Sequence, residues 1–381
     1  MLKFVEDLLQ GAPVEWKTLG EVSEISTGVS NRKDEVENGK YPLYVRSKNI
    51  LRSDCYQFDE TAIIIPGEGG IGEIFHYAVG KYALHQRAYR VHIHDEKLLD
   101  KFVFYYLVEH FKKYIVSISY NATVSSIRKP MLAEFLIPLP PLHVQEKIVE
   151  ILDKFTELEA KLGTELVLRQ KQYEYYRNKL LTFGEEVERK TIDAICSHIG
   201  SGGTPSTDVH EYYQGNIPWL RTQEVDWKDV HDTEIKITPE AVAHSSAKLI
   251  PANCVIVAMY GATAAKACIN KIPLTTNQAC CNLQVDKQKA IYKYVYYWLC
   301  REYRNLKALG EGSQSNLNAK KIKSYLIPLP PLSEQARIVS ILDKFDTLTN
   351  SLTEGLPREI ALRHKQYEYY RDALLTFPKA T

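Results

Sequence analysis

Apolar residues recur at steps of three and four along two segments of the chain, 148–180 and 338–374. This spacing places the apolar side chains on one side of a helix. It predicts two amphipathic helices of about 40 residues, each roughly 60 Å long. The apolar positions are Ile148, Leu152, Phe155, Leu158, Leu162, Leu166, Tyr173, Tyr176 and Leu180, then Ile338, Leu342, Phe345, Leu348, Leu352, Leu356, Ile360, Tyr367, Tyr370 and Leu374.

Prolines mark the beginnings and one interruption of these helices. Pro140–Pro141 and Pro330–Pro331 precede them, where proline is tolerated because first-turn N–H groups have no helical acceptor. Gly355 and Pro357 predict a kink near Thr353–Arg358. A long helix with one apolar side is not stable alone, so we expect the two to pair antiparallel.

Short β-branched runs and two further helices fill the blocks that precede the long helices. TAIIIP, FHYAVGKYA, YRVHIH, NCVIVAM and CCNLQVD read as strands, and Lys97–Tyr114 and Gln288–Leu306 read as amphipathic helices. The predicted class is therefore α+β: two mixed α/β domains separated by a pair of long antiparallel α-helices, related by a pseudo-two-fold repeat.

The repeat is explicit in the sequence. LIPLPPLHVQEKIVEILDKF at Leu136–Phe155 returns as LIPLPPLSEQARIVSILDKF at Leu326–Phe345, and RQKQYEYYRNKLLTF at Arg169–Phe183 returns as RHKQYEYYRDALLTF at Arg363–Phe377. The blocks before each copy are only faintly alike. The chain therefore divides into four parts: variable block 1–134, shared segment 135–186, variable block 187–324 and shared segment 325–381.

Composition and charge limit the classes of function that the chain can have. A net charge of +1 over 381 residues argues against a non-specific polyanion binder but leaves room for local basic patches. Seven cysteines without a CxxC pair indicate reduced thiols and a cytoplasmic protein. We expect no targeting segment, because the first ten residues carry acids, and no bilayer-spanning stretch.

Catalytic motifs are weak or missing. Gly67–Gly72 matches G-x-G-x-x-G but precedes a β-like run, which favours a turn between strands over a dinucleotide site. No phosphate-binding loop of the G-x-x-x-x-G-K-[ST] type and no Asn/Asp-Pro-Pro-aromatic methyltransferase tetrapeptide occurs. Glu234–Lys236 reads as strand-edge charge alternation, and His92 and His94 alone are poor support for a metal site.

Polar loops flanked by aromatic residues remain as candidates for binding. Arg, Asn and Gln make bidentate contacts to base edges, whereas Lys, Ser and Thr suit phosphates. The candidates are Arg46, Ser47, Lys48, Asn49, Gln86, Arg87, Tyr120 and Asn121 in the first block, and Thr204, Arg221, Thr222, Gln223, Asn277, Gln278, Gln314 and Asn316 in the second.

Both doubled motifs closely resemble the conserved regions of type I restriction–modification specificity (S) subunits. The Thr-Glu-Leu runs at Thr156–Leu158 and Thr164–Leu166 resemble the short TxEL-like tetrapeptides of the type IC-like branch. SGGTPSTDVHEYYQGNIPWLRTQEV at Ser201–Val225 is similar to the opening of that family's target recognition domains. The matching stretch of the first block, Ser26–Ser30, lacks the Gly-Gly-Thr-Pro run.

The resemblance implies a non-catalytic DNA reader in which each variable block is a target recognition domain for one half of a bipartite site. The helices would act as a ruler and dock two methyltransferase (modification) subunits. No cofactor is expected in this chain; the partners would bring S-adenosylmethionine and, through translocase–restriction subunits, ATP and Mg²⁺. Docking residues implied are Gln145, Ile148, Tyr173, Gln335, Ile338 and Tyr367.

Two other classes stay open on the residues alone. One is a self-contained DNA methyltransferase or nuclease, which S-adenosylmethionine binding by the isolated chain would reveal. The other is a helical scaffold with sugar- or protein-binding lobes, which a gel shift against randomised duplex DNA, with a methyltransferase partner present, would separate from a DNA reader.

Overall fold

The first variable block folds around a six-stranded sheet in the computed structural model, which describes residues 2–118, 126–310, 316–351 and 353–378. Contacts divide the chain into two compact units. Unit 1 is Met1–Gly163 with Glu359–Thr381, and unit 2 is Thr164–Arg358. Each unit therefore combines one variable block with parts of both shared segments.

Unit 1 has a sheet of order β2-β7-β5-β6-β3-β4 and a two-stranded sheet of β1 and β8. Its strands are β1 (Glu15–Thr18), β2 (Ser23–Thr27), β3 (Tyr41–Tyr44), β4 (Leu51–Ser53), β5 (Phe58–Pro66), β6 (His76–Leu84), β7 (Ala88–Ile93) and β8 (Leu136–Leu139). Its helices are α1 (Lys3–Leu9), α2 (Leu19–Val22), α3 (Asp100–Ile118) and α4 (Lys129–Ala133).

The run TAIIIP forms the centre of β5 because both of its faces are buried. Ile63 and Ile65 join the core that packs on α3, whereas Ala62 and Ile64 join a second cluster on the opposite face. A strand covered on both sides reads as a continuous apolar run rather than an alternating one.

Unit 2 repeats this arrangement with one interruption. Its sheets have the orders β10-β17-β14-β15-β12, β13-β11-β16 and β18-β9. The strands are β9 (Arg189–Thr191), β10 (Cys196–Ser201), β11 (Ile217–Leu220), β12 (Asp229–Val230), β13 (Lys236–Ile237), β14 (Val255–Ala258), β15 (Ala267–Asn270), β16 (Thr275–Thr276), β17 (Cys280–Val285) and β18 (Leu326–Pro328). The helices are α6 (Ile192–Ile195), α7 (Pro239–Ala243), α8 (Tyr292–Arg301), α9 (Tyr303–Ala308), α10 (Ala319–Lys323) and α11 (Leu332–Asn350).

The interruption in unit 2 separates β15 from β16. In unit 1 the single strand β6 pairs with both β5 and β3. In unit 2 these two pairings belong to β15 and β16, and Pro273, which has no N–H to donate, lies between them. The predicted helix Gln288–Leu306 is likewise two helices, with Glu302 between α8 and α9.

The shared segments contain α5 (Leu142–Leu180), α11 and α12 (Gly355–Leu374). Helix α5 has 39 residues and confirms the predicted length. The kink predicted near Thr353–Arg358 is present as an interruption of the second copy, between the end of α11 at Asn350 and the beginning of α12 at Gly355. Gly355 has a φ of +74°, and a Cβ there would collide with the carbonyl oxygen of Thr347. Pro357 instead lies in the first turn of α12, where proline is tolerated.

The first motif of each copy packs against the second motif of the other copy. In unit 1 the Phe155 ring lies 6.0 Å from Tyr367 and 5.6 Å from Tyr370, centroid to centroid. Glu159, one turn further along α5, pairs with His364, one turn earlier in α12, so the two helices run antiparallel. In unit 2 the equivalent ring of Phe345 stacks on Tyr173 and Tyr176. The predicted class, with long antiparallel helices and a repeat, is confirmed.

A membrane span is not found among the helices of the described residues.

Candidate nucleic-acid interface

In each unit two predicted loops leave the same edge of a sheet, because each follows one strand of a parallel pair. In unit 1, Tyr44 of β3 lies opposite Leu84 of β6, and the next residues, including Arg46 and Gln86, emerge together. In unit 2, Leu220 of β11 lies opposite Thr276 of β16, followed by Arg221 and Asn277. We call these the unit 1 edge and the unit 2 edge.

A carboxylate holds two arginines at the unit 1 edge. Glu68 accepts from Arg46 Nη1 at 2.7 Å and from Arg87 Nη1 at 3.0 Å. The hydrogen bond from Arg46, followed by that from Arg87, lowers the pKa of Glu68. The arginine side chains remain 45% and 56% exposed, so both guanidinium groups are accessible to a ligand.

The other predicted residues of the unit 1 edge lie beside this group. Gln86 Nε2 donates to Asn31 Oδ1 at 2.8 Å. Ser47 Oγ donates to the carbonyl of Asn49 at 3.1 Å, and Lys48 and Asn49 are exposed. Tyr120 and Asn121 lie outside the described residues.

The unit 2 edge also contains an arginine held by acid, but here one arginine lies between two carboxylates. Arg221 pairs with Glu234 and, through Nε, with Glu224 at 3.5 Å. Thr204 Oγ1 donates to Gln278 Oε1, and Gly203 N donates to Thr276 O at 2.9 Å, which joins the Gly-Gly-Thr-Pro loop to the same edge.

Three more predicted residues lie at or beside the unit 2 edge. Thr222 O accepts from Thr263 Oγ1 at 2.7 Å, and Gln223 is exposed. The Oδ1 atom of Asn277 is buried and has no hydrogen-bond partner among the described residues. This acceptor is therefore unsatisfied within the described residues, although the atom itself is covered.

The segment of Asn316 approaches the loop that follows β14. The following residue, Leu317, donates its N–H to the carbonyl of Met259 at 2.8 Å, and Asn316 is exposed. The matching bond in unit 1 joins Ile127 N to Gly67 O at 2.7 Å. Gln314 lies outside the described residues.

The residues that sequence reasoning missed are the acids that hold the arginines. Glu68 lies in the G-x-G-x-x-G loop, for which the sequence predicts only a turn, and Glu234 lies in the E-x-K run, for which it predicts charge alternation. Gly69, Gly70 and Gly72 have φ of +75°, +113° and +67°, which fits a turn between β5 and β6 and no helix start. A glycine-rich loop with one acid, beside two arginine loops, was the available signal.

Four of the six residues expected to dock subunits are fully buried and bind within their own unit. Gln145 accepts from Leu99 N at 2.9 Å and donates to the carbonyls of Lys97 and Pro140. Gln335 accepts from Ile291 N at 2.9 Å and donates to Pro330 O at 2.8 Å. Both glutamine amides anchor the beginning of a long helix. The expectation that these four side chains contact another subunit directly is therefore wrong, because they are buried inside their own unit.

The remaining docking residues also pack internally. Ile148 and Ile338 have no exposed surface, and Tyr367 is 8% exposed with Arg371 over its ring. Tyr173 is partly exposed, so it alone of the six offers appreciable surface to a partner.

A second repeated anchor joins α5 and α11 to the helices of the variable blocks. In unit 1, Asp153 accepts from Lys101 Nζ at 2.7 Å and from the Tyr105 hydroxyl at 2.6 Å. In unit 2, Asp343 accepts from Lys293 at 2.7 Å and Tyr297 at 2.6 Å. The sequence signal was a Lys-x-x-x-Tyr spacing in both block helices and the aspartate of both ILDKF motifs.

Thiol and metal sites gain no support from the described residues. Burial raises the pKa of Cys196, Cys281 and Cys300 to about 12, which keeps these thiols protonated at neutral pH. Among the residues described, no group of His, Cys, Asp and Glu could hold a metal ion. His92 Nδ1 instead lies 2.8 Å from the carbonyl of Thr61.

Comparison with known proteins identifies this doubled architecture. The family model "Type I restriction modification DNA specificity domain" matches residues 13–167 and 184–362. The type I restriction enzyme EcoR124I/EcoR124II specificity subunit of Escherichia coli is 37% identical over 99% of this chain and 98% of its own length. A putative type I restriction enzyme specificity subunit of Haemophilus influenzae is 33% identical over 98% of each chain.

The fold agrees with solved structures of the same kind. The crystal structure of the type I restriction–modification system S subunit from M. genitalium matches with a TM-score of 0.60, at 17% identity, over 97% of this chain and 98% of its own. The chain therefore belongs to the family of type I restriction–modification specificity subunits, with two DNA specificity domains. It is a non-catalytic member of such a system, and the methyltransferase, nuclease and scaffold alternatives are not favoured.

Proposed function

We propose that each unit reads one half of a bipartite DNA site with its edge, the unit 1 edge for one half and the unit 2 edge for the other. The target recognition domains would be residues 1–134 and 187–324, and the shared regions 135–186 and 325–381. The observation that carries this proposal is the recurrence of an acid-held arginine after β3 and after β11, beside an amide-bearing loop in each unit.

The chemistry of these edges suits direct base reading. A guanidinium fixed by a carboxylate loses little conformational freedom when it binds, and it can make two parallel bonds to guanine O6 and N7. Gln86, Gln278 and Asn277 present amides of the kind that pair with adenine N6 and N7. Lys48, Thr204 and Thr222 suit phosphate contacts that fix the register on the duplex.

The shared segments would supply two further functions. They would fix the length of the gap between the half-sites, and they would dock two methyltransferase subunits that carry S-adenosylmethionine. Translocase–restriction subunits, with ATP and Mg²⁺, would join through that assembly. The relatives at 37% and 33% identity bear the names of specificity subunits, which supports this assignment.

Reciprocal variants test half-site reading. We expect Arg221→Ala to relax or weaken one half-site only, at about 1–3 kcal/mol for a lost bidentate contact, and Arg46→Ala to affect only the other half. The measurement is mapping of methylated bases in a genome that expresses each variant with its methyltransferase partner. Each variant is the matched control of the other.

Two results would contradict the proposal. Equal loss on unrelated DNA would assign the arginines to phosphate contacts. Relaxation of the same half-site by both variants would mean that the two edges do not read separate halves.

A further inference from the structure

The run KQYEYYR inside the second motif of each copy ends in an arginine, and in unit 1 this arginine, Arg371, is neutralised by acids of the same unit. Arg371 donates to Glu109 at 2.7 Å, and the Glu109 carboxylate is only 7% exposed. Lys113 pairs with Glu109 at 2.7 Å and with Asp372 at 3.1 Å. Two cations and two carboxylates thus balance each other at this position.

The matching position in unit 2 has lost both acids. The shared contacts of Asp153 and Asp343 align Lys101 with Lys293, so Glu109 corresponds to Arg301. The motif KQYEYYR aligns Arg371 with Arg177, and Asp372 with Asn178. Where unit 1 holds a carboxylate against its arginine, unit 2 therefore holds a second arginine.

Arg177 has no acid partner in the part of unit 2 that the structure describes. Its guanidinium lies 5.6 Å from the centre of the Tyr173 ring, and its Nε atom is buried without a hydrogen-bond partner among the described residues. Arg301 is better satisfied, because it pairs with Glu302 at 3.2 Å and donates to Thr182 at 3.1 Å. A buried, unpaired guanidinium N–H is costly unless a ligand accepts from it.

A cavity of about 910 Å³ lies against Arg177 within unit 2. Trp227, Lys228, Tyr303 and Arg304 belong to its wall, together with residues of α5 and α11. We call it the Arg177 pocket.

The acids of this wall have other roles. Asp226 pairs with Lys266, and Asp346 accepts from Asn350 at 2.8 Å, with burial raising the pKa of Asp346. Glu174 is exposed on α5. None of the three forms an ion pair with Arg177 among the described residues, so the pocket retains positive charge.

We propose that the Arg177 pocket takes a carboxylate from an acidic side chain of a protein partner, the methyltransferase subunit. The occupant is inferred from unit 1, where the equivalent arginine already binds a carboxylate supplied by the chain itself. The volume exceeds that of a small ion and has aromatic walls, which suits a segment of protein that carries the acid. The identity of the partner rests on the proposed function; the preference for a carboxylate does not.

The first test uses the isolated chain and glutarate as the probe, at constant ionic strength. Glutarate should raise the melting temperature of the wild type, and Arg177→Gln should weaken this response at least about tenfold in glutarate concentration. Arg301→Glu restores the carboxylate of unit 1 and should raise the melting temperature without glutarate while removing the response. If Arg301→Glu lowers the melting temperature and still responds to glutarate, the assignment is overturned.

The second test counts partners in the full complex by native mass spectrometry. Arg177→Gln should lose one of two methyltransferase subunits, whereas Arg169→Gln, a surface arginine of the same helix paired with Glu165, should keep both. Retention of both subunits by the Arg177→Gln variant overturns the inference. If this variant keeps both subunits but binds DNA more weakly, the pocket takes a DNA phosphate and not a carboxylate. A wild-type chain that binds no methyltransferase subunit would contradict the proposed function, while the glutarate result would still decide the pocket's chemistry.

Discussion

Units 1 and 2 hold their long helices with the same side chains, yet they differ in the residues that they present for binding. The glutamine anchor and the Lys–Asp–Tyr anchor recur with bond lengths that agree within 0.1 Å. The edges instead carry Arg46, Gln86 and Arg87 in one unit and Arg221, Asn277 and Gln278 in the other. Contacts that attach a recognition block to a helix are therefore kept, while contacts available to a ligand vary.

Replacement of the buried glutamines should have the largest effect on the stability that the two units share. Gln145→Ala should destabilise unit 1, and Gln335→Ala unit 2, by about 1–3 kcal/mol, because each leaves buried N–H and carbonyl groups without partners. Hydrogen exchange of α3 and α8 reports the two units separately. Lys147→Ala, an exposed change on α5, should stay within about 0.5 kcal/mol. If a glutamine variant also lowered the hydrogen-exchange protection of the unit that it does not belong to, the two anchors would not be independent.

The aspartate anchors should behave alike. Asp153→Asn and Asp343→Asn keep the side-chain shape but remove the charge, and each should cost its own unit about 1 kcal/mol, since the ion pairs are partly exposed. Denaturation of double variants with Lys101→Met or Lys293→Met measures the coupling. A coupling present in one unit and absent in the other would mean that the anchors are not equivalent.

Low pH should destabilise unit 1 more than unit 2, because unit 1 contains three histidines whose pKa lies below the ordinary 6.5. Burial lowers the pKa of His76, His85 and His110, so the folded state holds them neutral. Stability from these groups is present above pH 6.5 and is lost as the pH falls below 6.5 through their lowered pKa values. In unit 2 the position of His110 is Glu302.

Hydrogen exchange between pH 7.5 and 5.5 checks this difference. Protection of α3 should decline before that of α8, and His110→Gln should reduce the decline. An equal decline in both units, or no effect of the variant, would contradict the assignment to buried histidines.

Much of the fold followed from the sequence because periodicity reports which faces are buried. The fold class and the antiparallel pairing of the long helices could be predicted from three features: the apolar stripe of α5, the apolar run of β5 and the doubled motifs. Gly355 and Pro357 together predict the break near Thr353–Arg358, but in the structure Gly355 with its positive φ begins the new helix, whereas Pro357 is tolerated in the first turn. The family resemblance implies that Gln145 and Gln335 dock subunits, but a polar residue on the apolar stripe in both copies indicates a buried anchor.

The edges could be predicted only as separate loops. That Arg46 and Arg87 share Glu68 depends on the parallel pairing of β3 and β6, which brings together residues from three loops. The runs KFVFYYL at Lys101–Leu107 and KYVYYWL at Lys293–Leu299 are similar enough to align α3 with α8 from the sequence. The loss of the acid beside Arg177 nevertheless became visible only through the contact of Arg371 with Glu109, which joins residues 262 positions apart.

The central claim is that the shared helices fix the distance between two independent half-site readers. The most direct test inserts one helical turn of four residues after Gly163 and another after Arg358, then maps methylated sites in a genome expressing the variant. The added ~6 Å should lengthen the gap between the half-sites by one to two base pairs at ~3.4 Å each, with both half-site sequences unchanged. An unchanged gap, or altered half-site sequences, would contradict it.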